Sequence, residues 1–164
     1  MVAARLTPRC AVELPERGSG QLDRVIALIG MCHLSIHDLS RSGSPTRFNM
    51  PFELGLAAGL AHRKRHEFIL MESRRGRLER TLSDLRGVQP LIHRNGPLVL
   101  IARLTDNLSG ARPLQVERIY RRLLSACPAL KRAYRVPDVF QTTIFKELVS
   151  GAVEEVERAQ LFAR

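Results

Sequence analysis

The chain has 164 residues, of which 45% are hydrophobic and 26% charged, enough for one domain of α/β size around a real core and too apolar for a disordered chain. The longest wholly apolar run, Leu54 to Ala61, falls far below the roughly 18 residues a bilayer-spanning helix needs. Met1 to Pro8 carries Arg5 and no apolar stretch, so no targeting segment is expected. The formal net charge of +10 points toward polyanionic partners. Only Lys64, Lys131 and Lys146 are lysines, however, and the scattered arginines are not interleaved with stacking aromatics, so a nucleic-acid partner is the weaker expectation and stays open. The odd set Cys10, Cys32 and Cys127 fits reduced thiols and a cytoplasmic protein better than a disulfide framework.

In chain order, Cys10 to Leu14 is a short strand candidate closed by Pro15, and Leu22, Val25, Ile26, Leu28 and Ile29 recur at helical spacing as far as Cys32. His33 to Leu39 alternates as a strand, followed by the loop Ser40 to Pro45. From Pro51, the spacing of Phe52, Leu54, Ala57 and Leu60 predicts a helix with proline in its first turn and Asn49 as a candidate cap. Gly55 and Gly59 are expected to let that helix lie close to a neighbouring backbone. Glu67 to Met71 is the next strand, Leu78 to Leu85 a helix, Val88 to Ile92 a strand and Pro97 to Leu108 a helix. This alternation predicts βαβ units and an open, flavodoxin-like parallel sheet. Beyond Ser109 to Pro113, two helices are expected at about Leu114 to Cys127 and Pro137 to Phe162. The predicted division is therefore 1–109, an α/β domain, and 110–164, a helical C-terminal extension.

One element is unaccounted for, because such a sheet normally opens with a strand and helix ahead of the first predicted strand. In the flavodoxin-like order that strand is central, so its absence predicts an unpaired gap in the sheet.

The chemistry concentrates between Asp38 and Leu56. Glu53 is expected in the first turn of a helix that follows a loop leaving a strand's carboxyl end, the place where open α/β sheets form their binding crevice. Glu53 either complements the helix N-terminus, as acidic residues routinely do, or works on a ligand. Asp38 and Ser40 sit at the strand end, and Arg41 and Arg47 flank the loop, where guanidinium forks match phosphates. His37 beside Asp38 is either a hydrogen-bonded structural histidine or a base. Cys32, His33 and His37, and His62 with His66, lack the arrangement of a metal site. No phosphate-binding Gly-x-x-x-x-Gly-Lys loop, dinucleotide Gly-x-Gly-x-x-Gly or nucleophile elbow Gly-x-Ser-x-Gly occurs.

The segment Asn49-Met50-Pro51-Phe52-Glu53-Leu54-Gly55-Leu56 resembles the Asn-x-x-Phe-Glu-Leu-Gly segment of bacterial TIR-like nucleotide-binding proteins. It is also similar to the Glu-Leu-Gly segment of nucleoside 2-deoxyribosyltransferases. Pro8 to Glu13, Ser35 to Arg41, Arg47 to Leu56 and Leu82 to Gly87 look more closely like an uncharacterised bacterial family whose members open with a Phe-Ile-Asn-Cys-Pro-Phe-Asp strand and loop. That opening strand has no counterpart here, the same deficit as in the element count. The resemblance implies a TIR-like sheet domain and a glutamate acting on an N-glycosidic bond of NAD, a nucleoside or a nucleotide. On that reading Glu53 would take the catalytic role, and Asp38, Ser40, Arg41, Arg47, Asn49, Phe52, Arg9 and Glu13 would bind the substrate. No cofactor or metal is implied, since NAD or another nucleotide would be the substrate. The expectation is thus a cytoplasmic glycosidic-bond hydrolase or transferase, with a homo-oligomer as an open partner state. The alternative is a non-catalytic nucleotide sensor or protein-interaction module.

Overall fold

The computed structural model describes the chain apart from residues 14–19, 41–48, 64–65, 86, 109–111 and 162–164, and apart from the side chains of 79, 81 and 83. It divides into two compact units: Glu16–Arg103, and Met1–Pro15 together with Leu104–Arg164. The first fifteen residues thus group with the C-terminal helices rather than with the sheet.

The Glu16–Arg103 unit is α/β. It begins with α1 (Gln21–Met31), in which Asp23 Oδ2 accepts the Gly20 N–H at 3.3 Å and opens the helix. Then come β1 (Leu34–Asp38), α2 (Asn49–His62), β2 (Glu67–Glu72), the single turn α3 (Leu78–Thr81), a 3-10 turn (Ser83–Leu85), β3 (Leu91–Ile92) and α4 (Pro97–Asn107), whose last turn falls in the other unit. The three strands are parallel in the order β1-β2-β3, with Leu34 opposite Glu67 and Asp38 opposite Met71, then Met71 opposite Leu91 and Glu72 opposite Ile92. The expected gap is not there, because β1 pairs directly with β2 along its whole length.

The core lies on one face of this sheet. Leu39, Leu54, Leu70 and Leu78 form a buried cluster, with Met50, Phe68, Leu82, Leu85 and Val88 packed against it. Met50, Leu54 and Ala57 fall at the i, i+4, i+7 positions that give α2 one sheet-facing stripe. Gly55 and Gly59 lie off that stripe, and a methyl group at either would meet nothing within 4 Å, so they serve no close helix contact. Because α2 runs back antiparallel to the strands, its N-terminus lies at the carboxyl edge of the sheet.

Three local expectations are corrected. The strand expected at Cys10 to Leu14 does not form over its described residues: Ala11–Glu13 is a 3-10 turn, closed when the Glu13 carboxylate accepts the Cys10 N–H at 2.6 Å. Leu78 to Leu85 is broken at Leu82, whose φ of −136° and ψ of 68° leave the helical region. The Val88 to Ile92 strand shrinks to Leu91–Ile92.

The other unit is built on α5 (Pro113–Tyr134) and α6 (Thr142–Arg158), with Ile119, Ile144 and Val156 buried. The helix expected to end at about Cys127 instead runs on to Tyr134 with Pro128 inside it, forgoing one backbone hydrogen bond. A Cβ on Gly151 would sit 3.3 Å from Leu123 Cδ2, so a glycine here lets α6 approach α5 closely. Arg122 and Arg158 both pair with Glu155, and Thr142 Oγ1 donates to the Val12 carbonyl. No helix among the described residues is long and apolar enough to cross a membrane.

Candidate functional site

The carboxyl ends of all three strands carry polar groups that bond to one another. At the end of β1, Asp38 Oδ1 accepts the Ser40 N–H at 2.9 Å and the Ser40 hydroxyl at 2.5 Å. From the end of β3, His93 Nε2 lies 2.8 Å from Ser40 Oγ and 3.4 Å from Asp38 Oδ1. The Asn95 N–H donates to His93 Nδ1 at 3.1 Å; since an amide N–H can only donate, Nδ1 accepts and the neutral ring carries its proton on Nε2. Donation therefore runs from Asn95 to His93, from His93 to Ser40 and from Ser40 to Asp38. This is not a serine-hydrolase arrangement, in which the imidazole would take the serine proton.

The turn after β3 sustains this order at a conformational cost. Arg94 and Asn95 are both left-handed, with φ of 52° and 58°, a region costing an L-residue roughly 1 kcal/mol. That turn brings the Asn95 N–H back onto the His93 ring. Burial pulls the Asp38 carboxyl upward, but the Ser40 hydroxyl, the Ser40 N–H and the His93 imidazole outweigh it and hold the group below the usual carboxylate range. Asp38 keeps a side chain 39% exposed and stays an anion at the mouth of the array.

At the end of β2, Glu72 is 2% exposed. Its Oε1 accepts the Ser73 N–H at 2.7 Å and the Ser73 hydroxyl at 3.1 Å, and lies 3.5 Å from Arg77 Nη1. The same Nη1 donates to the Ser40 carbonyl at 3.0 Å, tying the β2 and β1 ends together. His93, Glu72, Ser73 and Arg77 escaped the sequence reading. A signal for the first two existed, since each is a polar residue directly ending an apolar strand, after Phe68-Ile69-Leu70-Met71 and after Leu91-Ile92.

A second group lies at the start of α2. Asn49, Phe52 and Glu53 line a cavity of about 360 Å³ with Gln21, Leu22 and Val25 of α1. Glu53 is not in the first turn as expected: Asn49 is the first helical residue and Glu53 the fifth, which weakens its role as a simple complement to the helix N-terminus. Burial pushes its carboxyl above the usual value, and no hydrogen bond or ion pair reaches it among the described residues. Leu54 packs with Leu39 in the core cluster, so the second turn of α2 abuts the end of β1 just where Asp38 and Ser40 flank Leu39.

The expected site residues therefore fall into separate sets. Asp38 and Ser40 join at the strand ends, and Asn49, Phe52 and Glu53 join at the cavity. Arg9 and Glu13 belong to the other unit, where Arg9 Nε donates to Glu13 Oε1 at 2.9 Å. Arg41 and Arg47 lie outside the described residues. His37 takes the structural alternative. His66 Nδ1 donates to the Cys32 carbonyl at 2.8 Å, so its Nε2 accepts from Ser35 Oγ at 2.8 Å, which in turn accepts from His37 Nε2 at 2.7 Å. Among the described residues no group of three or more His, Cys, Asp or Glu is arranged to hold a metal ion.

Comparison of the chain with protein-family models, with curated proteins and with solved structures finds no match in any of the three.

Proposed function

We propose that the Glu16–Arg103 unit binds a nucleoside or nucleotide at the carboxyl edge of its sheet and cleaves the N-glycosidic bond, as the TIR-like and deoxyribosyltransferase-like resemblance implies. The observation that carries the proposal is Glu53: a half-buried carboxylate in a cavity walled by Leu22, Val25 and Phe52, with no counter-ion among the described residues. Breaking a C1′–N bond develops positive charge on the sugar ring. A carboxylate in a partly dry cavity stabilises that cation, or traps it covalently, far better than one in water. Phe52, 52% exposed, offers a face for the base, and Asn49 offers an amide. Asp38, with one oxygen engaged by Ser40 and His93, keeps the other as an acceptor for a sugar hydroxyl. Arg41 and Arg47 would hold phosphate.

The test is to incubate the protein with NAD and with a panel of nucleosides and nucleotides and follow base release by chromatography. Turnover of at least one member is expected; a folded protein that releases no base from any of them contradicts the proposal.

A second reading is a nucleotide-binding module without turnover. The strand-end array favours it, because its serine donates to a carboxylate and its histidine is held as a donor, an arrangement for binding rather than for proton abstraction.

A further inference from the structure

The helical unit carries a surface that the proposed reaction does not use. At the end of α5 an open groove of about 800 Å³ is lined by Leu124, Cys127, Pro128, Lys131, Arg132 and Arg135. Leu124, Pro128 and Lys131 recur at the i, i+4, i+7 spacing of a single helical stripe, about 10 Å long at 1.5 Å per residue, and Arg135 follows at the left-handed cap of the helix. The stripe is apolar in its first half, with Leu124 54% exposed, and cationic in its second. Elsewhere on α5, Arg121 pairs with Glu117 and Arg122 with Glu155, and Arg118, which does not line the groove, makes no ion pair among the described residues. Lys131, Arg132 and Arg135 make no ion pair among the described residues. The helix dipole favours cations in a last turn, which accounts for Lys131 and Arg132. It does not account for Arg135 beyond the helix end, nor for the exposed apolar floor.

We infer that this groove docks an acidic, partly apolar helical segment of another protein. Three uncompensated cations call for carboxylates, and the net charge of +10 steers acidic partners toward the chain while opposing a second copy of itself. The apolar half wants side chains that a nucleic-acid backbone does not offer, and no aromatic lines the groove for bases to stack on. The partner segment would present carboxylates four residues apart, matching Lys131 and Arg135, with an aliphatic residue one or two turns away over Leu124.

The test uses the full chain and a fluorescent synthetic peptide of two to three helical turns with glutamates four apart and leucine one turn distant. Controls are the same peptide with serine for leucine and a single-stranded oligonucleotide of equal charge. Anisotropy is expected to show saturable binding of the leucine peptide, tighter than either control. The triple variant Lys131→Glu, Arg132→Glu, Arg135→Glu should lose at least about tenfold in affinity, and Leu124→Ser severalfold, with helical circular dichroism retained in both. Unchanged peptide binding by either folded variant overturns the inference. So does tighter binding of the oligonucleotide, or a wild-type self-association that the triple variant abolishes.

Discussion

His37 makes a quantitative prediction about acid stability. It is 3% exposed on β1, and the donor order through Ser35 to His66 leaves its Nδ1 as a bare, buried acceptor with no partner among the described residues. A second proton must enter at Nδ1, where nothing accepts a hydrogen bond from it. Burial, with the neighbouring His66 adding to it, accordingly pushes the His37 pKa down from 6.5 to about 4. As pH falls through 6.5 the unfolded chain takes up this proton and the folded chain does not, so stability declines between pH 6.5 and 4 and this contribution levels off below. The loss amounts to at most about 3 kcal/mol. Urea unfolding of wild type and His37→Gln at pH 7 and pH 4.5 checks it: the wild type should lose about 2 to 3 kcal/mol more than the variant over that interval. Equal losses, or a His37 ring proton titrating near 6.5 by NMR, would refute the buried donor chain.

Other substitutions test the core and the strand ends. Leu54→Ala removes a side chain 1% exposed in the cluster under α2 and should cost about 3 to 5 kcal/mol in urea unfolding. Gly87 has φ of 106°, so Gly87→Ala should cost about 1 kcal/mol or more although no atom blocks the new methyl. Ser40→Ala leaves His93 Nε2 and Asp38 Oδ1 without their shared hydroxyl and should cost about 1 to 3 kcal/mol. It should also bring the carboxyl of Asp38 closer to its ordinary pKa by carbon-detected NMR, since the serine holds it down.

Much of the sheet unit is legible from spacing. The apolar period of Leu22 to Ile29 yields α1, the alternation after His33 yields β1, and the Phe68 to Met71 run yields β2. What fails is short or non-local. Ala11-Val12 looks strand-like, but the Cys10 N–H donates to the Glu13 side chain and the Glu13 N–H to the Cys10 carbonyl, and this local pairing closes a 3-10 turn instead. Pro128 reads as a helix end because local propensity penalises it, whereas the packing of α5 on α6 carries the helix onward. Asp38 and Ser40 were legible as strand-end residues. Their partner His93 lies more than fifty residues away, and no periodicity connects the two positions. Arg77 likewise meets Ser40 and Glu72 only after the sheet has formed.

The most direct test of Glu53 measures binding and turnover together in Glu53→Gln, which keeps the shape of the side chain and removes its charge. With a nucleotide that the wild type hydrolyses, the variant should bind with affinity within a few-fold of wild type while base release falls at least about a hundredfold. Base release that survives the substitution would contradict a role for this carboxylate in the chemistry.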